Sequence, residues 1–211
     1  MSTDEVIEPT VNKQVLRSQR SSKALLEAAI DIIVEGGVSS LTLATVGERA
    51  GYSRGLATAR FGSKEGLIEA LIRRIVGQWS HRNVLPLTTS KSGLDGVDVL
   101  CRAILVQFER GSRGLRALYA LMFEALNRDD ETLRIRFADF QDGMRGDLVE
   151  MINRGKRDGS IKKSVDATAE AGLLVAGLRG VAYQWLLDPE RFDPMPVLEH
   201  MVRSTVERLK T

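Results

Sequence analysis

The sequence contains little cysteine and little histidine, and both shortages restrict its chemistry. Cys101 is its only cysteine, so no intramolecular disulfide can form, and its two histidines, His81 and His200, lie far apart in the chain. The spacings typical of a zinc site, a phosphate-binding loop, a nucleophile elbow or a dinucleotide-binding turn are missing. We therefore expect no metal, no cofactor and no enzymatic activity.

Long hydrophobic runs are also lacking. No apolar run approaches the roughly 18 residues of a membrane span, and the chain does not start with the layout of a signal peptide. Hydrophobic residues make up 43% of the sequence and charged residues 27%, as in an ordinary soluble protein. The sequence predicts a cytoplasmic protein with no membrane partner.

The formal net charge of +2 is too small to identify a nucleic-acid-binding protein. The distribution of charge is more informative, because basic residues outnumber acidic ones between Lys13 and Lys64 and nearly balance them afterwards. A local positive excess is typical of a surface that meets phosphate groups. The amino-terminal third is therefore the candidate binding region.

Two short helices joined by a turn are predicted within Ala44–Lys64. Thr42 suits the N-cap of the first helix, and Gly51 suits the left-handed residue that ends it. Ser53 suits the N-cap of the second helix, Arg54–Phe61, and Ser63 suits the N-cap of the helix that follows. This arrangement is typical of a helix-turn-helix, whose second helix enters the major groove of DNA.

The other regular segments are also predicted to be helical, because none shows the two-residue alternation of a strand. We predict an all-α fold of about nine helices, with a three-helix DNA-binding domain followed by a helical regulatory domain. The predicted limits are 1–17 for a flexible tail, 18–64 for the helix-turn-helix domain and 65–211 for the ligand-binding and dimerisation domain. A fourth helix is predicted from Ser63 toward Asn83. The other predicted helices outside Ala44–Lys64 are Ser22–Glu35, Val97–Arg110, Arg113–Asn127, Glu131–Lys156, Asp166–Leu187 and Pro196–Lys210, with a loop over residues 84–96.

The penultimate helix is unusually apolar, since Arg179 is the only charged residue between Ala171 and Leu187. A helix that is apolar on all sides is buried on more than one side, in one core or in a core and a subunit interface. We predict that it pairs two subunits together with the last helix; the alternative is that it only forms the core of one subunit. The predicted interface residues are Leu173, Gly177, Gly180, Val181, Gln184, Leu198, Met201 and Thr205.

The stretch from Arg17 to Leu71 resembles the DNA-binding domain of the tetracycline-repressor (TetR) family of bacterial transcription regulators. The matching segments read KALLEAAIDIIVEGG, LTLATVGERAGYS and FGSKEGL. The remaining chain is similar to the family in general plan only. The resemblance implies a ligand-responsive repressor that binds a palindromic double-stranded DNA operator as a homodimer and is released by a small-molecule effector.

The resemblance also implies which residues contact DNA, although this chain departs from the family pattern. Thr58-Ala59-Arg60 stands where the family usually has Tyr-His-Tyr, and Leu56 stands where it often has threonine. Arg54 offers a bidentate fork for guanine, and Lys64 with nearby backbone N–H groups can hold a phosphate. The implied DNA-binding residues are Thr42, Ser53, Arg54, Gly55, Leu56, Thr58, Ala59, Arg60 and Lys64.

Bulky side chains on the middle helices are the candidates for a ligand pocket, although such stripes are also typical of a plain core. Glu124, Arg145 and Arg179 could orient a polar ligand, but a surface position or an ion pair is the simpler interpretation of each. The predicted ligand-binding residues are Phe108, Tyr119, Met122, Phe123, Phe140, Met144 and Trp185.

The unusual recognition helix keeps a second class of function open. The chain could be a helical protein-interaction module whose DNA binding is lost or altered. Enrichment of a DNA sequence from a random duplex pool would distinguish a DNA-binding regulator from such a module.

Overall fold

A computed structural model describes residues 13–79, 92–110, 112–127 and 131–211. These ranges hold nine α-helices, one short 3-10 helix (Val38–Ser40) and no β-strand, so the predicted all-α class is confirmed. By its internal contacts the chain divides into two compact units, residues 1–70 and 71–211, with the division inside the fourth helix. The helices are α1 (Lys13–Gly36), α2 (Leu43–Arg49), α3 (Arg54–Phe61), α4 (Lys64–Trp79), α5 (Gly93–Glu109), α6 (Arg113–Asn127), α7 (Glu131–Asp158), α8 (Ala167–Leu187) and α9 (Pro194–Leu209).

Helix α1 begins at Lys13, earlier than the predicted start at Ser22. Its first turns contain no glycine or proline to stop a helix, but they expose Val15 and Leu16, which are 46% and 43% accessible. Without a buried face, these turns show no helical periodicity in the sequence. The predicted tail overlaps this helix at residues 13–17, and its first twelve residues lie outside the described ranges.

The core of the first unit is built from aliphatic side chains on all four of its helices. Leu25 and Ala29 of α1, Val46 of α2, Ala57 of α3 and Leu67 of α4 have no accessible surface. Full burial of a large aliphatic side chain stabilises a fold by about 1.5–3 kcal/mol. The short helices α2 and α3 are therefore held mainly by packing, since isolated helices of that length are unstable.

In the second unit, α5 begins at Gly93 rather than at Val97, so the predicted loop over 84–96 is wrong for its last four residues. The close approach of α5 to α7 explains the difference, because a Cβ on Gly93 would lie 2.0 Å from the backbone nitrogen of Gly155. The Gly93 N–H also donates to Oδ2 of Asp158 at 2.7 Å. Glycine in this segment thus allows helix packing instead of marking a turn. The loop residues 84–91 lie outside the described ranges.

Helix α8 packs against α6, α7 and α9 in the second unit. Its buried residues recur every three or four positions from Ala167 to Trp185, so the protomer buries this helix along one side. The predicted burial of a second side stays a prediction about a subunit interface. Arg208 of α9 pairs with Glu170 of α8 at 2.7 Å and ties the two helices together near the α8 start. In the part of the chain that the structure describes, no helix is long and apolar enough to span a membrane.

Candidate functional site

Helix α3 is fixed at both ends by local hydrogen bonds. Oγ of Ser53 accepts from the Leu56 N–H at 3.2 Å, as a helix N-cap does. Gly62 ends the helix with a φ of 75°, and its N–H donates to the Thr58 carbonyl at 2.8 Å. The predicted cap at Ser53 is confirmed, and the start and end of α3 are both set by residues next to it.

Helices α2 and α3 approach each other closely at Gly47. A Cβ there would lie 2.9 Å from the Ser53 carbonyl oxygen, so a larger residue would push the turn outward. Thr42 starts α2 through a capping box, in which its Oγ1 accepts from the Thr45 N–H at 3.0 Å. Thr42 and Ser53 are thus helix caps first, and contact with DNA would be an additional role for each.

The outward face of α3 carries four of the nine predicted DNA-binding residues. Arg54, Gly55, Thr58 and Ala59 are exposed, whereas Leu56 is half-buried. Within the described ranges, Arg54 has no hydrogen-bonded or ion-paired partner, so its guanidinium is available to a ligand. This face carries a positive charge at the start of the helix, from Arg54, and only small side chains after it.

Arg60 is exposed, and its guanidinium is directed toward α1. Its guanidinium donates to Oγ of Ser18 at 2.6 Å and to Oγ of Ser21 at 3.3 Å. In this position the side chain joins the end of α3 to α1, which differs from the outward-facing contact implied by the family pattern. The sequence contained no signal for this pairing, because both serines lie about forty residues earlier in the chain. They also belong to the first turns of α1, which the sequence pattern did not predict to be helical.

Lys64 is half-buried at the start of α4. Its Nζ donates to the carbonyl oxygen of Val38 at 3.1 Å, in the 3-10 helix before α2. The ammonium therefore lies beside the segment that leads to the Thr42 cap. The predicted contact of Lys64 with a DNA phosphate stays a prediction. Its bond to Val38 gives Lys64 a second role, which is to hold the start of α4 against the 3-10 helix.

Two contacts that sequence reasoning missed position the helix-turn-helix. Arg49 of α2 donates to both carboxylate oxygens of Glu35 on α1, at 3.1 and 2.8 Å. This bond is the main reason that the pKa of Arg49 lies above its usual value. The second contact is the close approach of Gly47 to the backbone of Ser53. The sequence offered a signal for it, because a glycine inside a helical pattern often marks a close approach of two backbones.

The second unit contains two neighbouring cavities. Cavity A has a volume of about 70 Å³ and is lined by side chains of α4 to α8, including Ile104, Phe108 and Leu178. Cavity B has a volume of about 440 Å³ and is lined by α6, α7 and α8, including Met122 and Phe137. Tyr119 and Arg179 line both cavities, so these two residues stand between them.

Arg179 is the charged group that lines both cavities. It donates to the Tyr119 hydroxyl at 2.7 Å, and a second nitrogen lies 3.9 Å from the sulfur of Met144. Its guanidinium carbon also lies 5.2 Å from the ring centre of Tyr119 and 5.8 Å from that of Phe140. Nε of Arg179 is buried and has no hydrogen-bond partner. Neither a surface position nor an ion pair, the two simpler interpretations of Arg179, describes this environment.

The predicted ligand-binding residues separate into three groups. Phe108, Tyr119, Phe140 and Met144 line cavity A, while Met122 and Phe123 join Tyr119 at cavity B. Trp185 lines neither cavity, because its ring packs edge-on against Phe108 with 5.4 Å between centroids. Trp185 thus supports the cavity wall from behind.

The predicted dimer-interface residues also separate by burial. Val181, Leu198 and Thr205 are buried inside the protomer, which corrects their assignment to an interface. Gly177 faces the last helix of the same chain, since a Cβ there would lie 2.6 Å from the sulfur of Met201. The exposed residues of the predicted set are Leu173, Gly180 and Gln184.

Models of two known families match most of the chain. Residues 25–71, which contain the helix-turn-helix, match bacterial regulatory proteins of the tetR family. Residues 95–210, which contain both cavities' principal walls, match the C-terminal part of BetI-type transcriptional repressors.

Similar proteins match about nine-tenths of the chain at low identity. The transcriptional regulator TtgR of Pseudomonas putida is 23% identical over 201 residues, covering 92% of this chain and 93% of TtgR. SmeT, solved in complex with triclosan, has a TM-score of 0.76 at 20% identity, covering 92% of this chain and 93% of SmeT. A regulator of Saccharomonospora viridis, solved with choline, has a TM-score of 0.75 at 19% identity, with coverage of 92% and 99%.

Proposed function

We propose that this chain, which belongs to the TetR family of bacterial transcriptional regulators, is an effector-responsive repressor that binds a palindromic operator as a homodimer. Membership of the family makes it a DNA-binding regulator with a helix-turn-helix and not an enzyme. Repression is supported by the match of residues 95–210 to BetI-type repressors.

The observation that carries the DNA-binding role is the exposed face of α3 on a fixed frame. Ser53 and Gly62 set the ends of the helix, and Ala57 locks its inner side in the core. A recognition helix must hold its reading groups in one orientation, because a misplaced bidentate contact loses its discrimination between bases. This frame meets that requirement.

The reading chemistry follows from the exposed side chains. Arg54 can donate two hydrogen bonds to O6 and N7 of guanine, and Thr58 offers a hydroxyl to a base edge. Ala59 can only make apolar contacts, such as one with the methyl group of thymine. Because Gly55 and Ala59 are small, the backbone of α3 can lie close to the groove floor. Leu56 belongs with the apolar contacts but is half-buried.

Contacts to phosphate groups are proposed for the residues around α3. Thr42 and Ser53 lie at helix N-termini, where backbone N–H groups favour anions. Lys64 adds a positive charge at the start of α4. Arg60 is proposed to act mainly on the orientation of α3 through Ser18 and Ser21.

Homodimer formation is supported by an exposed apolar stripe on α8. Leu173, Tyr183 and Leu187 are 59%, 51% and 71% accessible and recur at helical spacing along one side, with Gly180 between them. Val197 adds an apolar group, 44% accessible, on α9. Apolar side chains this exposed are typical of a surface that a partner covers, and a second copy supplies the same stripe.

Effector response is proposed to act by differential binding. An effector that occupies the cavities favours arrangements of the second unit that leave room for it. If those arrangements hold the two recognition helices at a spacing that the operator does not match, effector and operator binding oppose each other. The coupling is reciprocal, so operator must weaken effector binding by the same factor.

Selection from a random duplex pool with the full-length protein tests the DNA-binding role. We expect enrichment of an inverted repeat whose half-sites lie about one helical turn, roughly 34–36 Å, apart or a small multiple of it. Enrichment of a single half-site would contradict the palindrome. Failure to enrich any sequence would favour the protein-interaction module instead.

Light scattering during gel filtration at micromolar concentration tests the dimer. We expect a dimer for the parent and a monomer for Leu187→Glu, because the substitution places a charge in the proposed interface. Val15→Glu is the control, since Val15 is 46% accessible but lies on α1 of the first unit. A monomeric parent, or a dimeric Leu187→Glu variant, would contradict this interface.

A further inference from the structure

Arg179 is the residue of the second unit whose surroundings best define a ligand. It lies on α8, lines both cavities and is the only charged residue among those lining cavity A. Across the described residues, no aspartate or glutamate pairs with it. A guanidinium in an apolar cavity without a counter-ion is costly unless a ligand supplies the negative charge.

The hydrogen-bond donors of Arg179 are only partly satisfied. One nitrogen donates to the neutral hydroxyl of Tyr119 at 2.7 Å, and a second approaches the weakly accepting sulfur of Met144. The third nitrogen, Nε, is buried without a partner. An arginine carries five N–H donors in a planar fork that matches a carboxylate, so this arrangement leaves an anion-binding edge unused.

The aromatic walls argue against a cationic ligand. Arg179 already lies over the rings of Tyr119 and Phe140, within the distances at which an aromatic face binds a cation. A quaternary ammonium entering cavity A would have to displace this guanidinium or remain beside a like charge. The site therefore favours an anionic ligand, whereas an aromatic cage favours a cationic, choline-like one.

We propose that the effector is an amphipathic carboxylate whose carboxylate binds Arg179 and Tyr119 and whose apolar body fills cavity B. This inference rests on the proposed function, because it assigns a chemical class to the effector of the regulator. The volume of cavity B, about 440 Å³, suits a small amphipathic molecule, whereas cavity A, about 70 Å³, does not. Met122, Phe123 and Phe137 form the apolar wall.

Tyr119 can assist in binding the carboxylate. Burial is the main cause that raises the pKa of its hydroxyl above the usual value, while Arg179 opposes that rise. The hydroxyl therefore stays protonated at neutral pH and can donate to a carboxylate oxygen. Tyr119 and Arg179 together would then provide donors on both sides of one anionic group.

Arg134 is the matched control for Arg179. It also lines cavity B, but its side chain is 61% accessible and pairs with Glu131 at 3.6 Å. A carboxylate drawn to any cationic group near the cavity would depend on both arginines. Of these two arginines, only Arg179 would contribute to the binding of a carboxylate held in the proposed site.

Calorimetric titration of the full-length protein with three ten-carbon probes tests the inference. The probes are decanoate, decanol and decyltrimethylammonium, which share an apolar chain and differ in head-group charge. We expect decanoate to bind about tenfold more tightly than decanol, and decyltrimethylammonium to bind most weakly. Arg179→Met should abolish the preference for decanoate, Arg179→Lys should keep part of it, and Arg134→Met should leave it unchanged.

Four outcomes would overturn the assignment: equal binding of decanoate and decanol, tightest binding of the cation, an unchanged preference in Arg179→Met, or no binding of any probe at millimolar concentration. Thermal melting of each variant verifies that it is folded before titration. Operator binding is measured separately by mobility shift without ligand. A parent that binds its operator but shows no carboxylate preference contradicts this inference and leaves the proposed function standing.

Discussion

The two compact units place their polar groups differently. Among the described residues of the first unit, the buried side chains are aliphatic apart from Ser21, and hydroxyl groups such as those of Thr42 and Ser53 lie at helix ends. In the second unit, polar and titratable groups enter the interior. Cys101 is 1% accessible and Tyr119 3%.

This difference suits the separate tasks of the units. A close-packed aliphatic core with capped helices has one well-defined arrangement, which a DNA-reading helix needs. Cavities beside a partly satisfied arginine permit more than one arrangement of similar energy, which a ligand can select. The comparison therefore predicts that the first unit is the rigid part and the second the responsive part.

Substitutions of closely packed glycines are expected to have the largest effect on stability, and they test the comparison of the two units. Gly66→Ala would place a Cβ 2.1 Å from the Phe61 carbonyl oxygen in the first unit, and Gly93→Ala would place one 2.0 Å from the Gly155 nitrogen in the second. We expect each substitution to lower the free energy of unfolding by about 3 kcal/mol or more, because backbone must move. Chemical denaturation measures the loss, and hydrogen exchange identifies the unit that opens.

Gly143→Ala is the control for both substitutions. Gly143 is exposed in the middle of α7, and a Cβ there would meet no atom within 4 Å. Alanine should therefore stabilise the helix by about 0.5–1 kcal/mol. If Gly66→Ala opened the second unit as readily as the first, the division of the molecule into a rigid and a responsive part would fail.

Features of the fold that depend on neighbouring residues could be predicted from the sequence. Thr42, Ser53 and Ser63 cap helices as predicted, and Gly51 has the expected left-handed conformation, with a φ of 74°. Each of these positions is determined by hydrogen bonds within a few residues. The caps were therefore visible as local patterns.

Features that depend on distant contacts could not be predicted. The pairing of Arg60 with Ser18 joins residues more than forty positions apart, and the α5 start at Gly93 depends on Gly155 of another helix. The sequence also showed that Arg179 was the single charge of an apolar helix, but not which groups surround it. Tertiary packing decides such positions, and local propensity does not.

The pH dependence of stability tests whether Cys101 is a buried titratable group of the second unit. Burial is the main cause that raises the pKa of its thiol from 9.0 to about 12. The thiol thus stays protonated in the native state, while in the unfolded chain it ionises near its ordinary pKa of 9.0. The stability it contributes is complete below that pKa and is lost as pH rises toward the native pKa.

We expect the parent to lose up to about 1.4 kcal/mol of unfolding free energy per pH unit above pH 9 relative to Cys101→Ala. Urea denaturation of both proteins between pH 8 and pH 10.5 measures the difference in slope. Tyr119 and the other tyrosines are common to both proteins and cancel in this comparison. Parallel curves would contradict a protonated, buried thiol.

Arg54 and Lys64 test whether the exposed face of the rigid unit reads sequence. Arg54→Ala should lower affinity for the selected operator by about 1–3 kcal/mol and relax the preference at one base position. Lys64→Ala should weaken all duplexes alike and reduce the salt dependence by about one unit of slope. Mobility shift assays at several salt concentrations separate the two effects. Parent-like binding by both variants would show that α3 is not the reading helix.

Matched cap substitutions give the smallest expected effect and the finest test of the comparison. Ser53 Oγ accepts from Leu56 N–H at 3.2 Å in the first unit, and Oδ1 of Asp166 accepts from Thr168 and Ala169 N–H at 3.0 and 3.1 Å in the second. Ser53→Ala and Asp166→Ala should each cost about 1 kcal/mol of stability, since each removes one N-cap. Only Ser53→Ala should also weaken operator binding, because that cap fixes the start of the reading helix. Denaturation and mobility shift on the same preparations separate the two effects. Equal losses of operator affinity in both variants would mean that the reading helix responds to general stability rather than to its own frame.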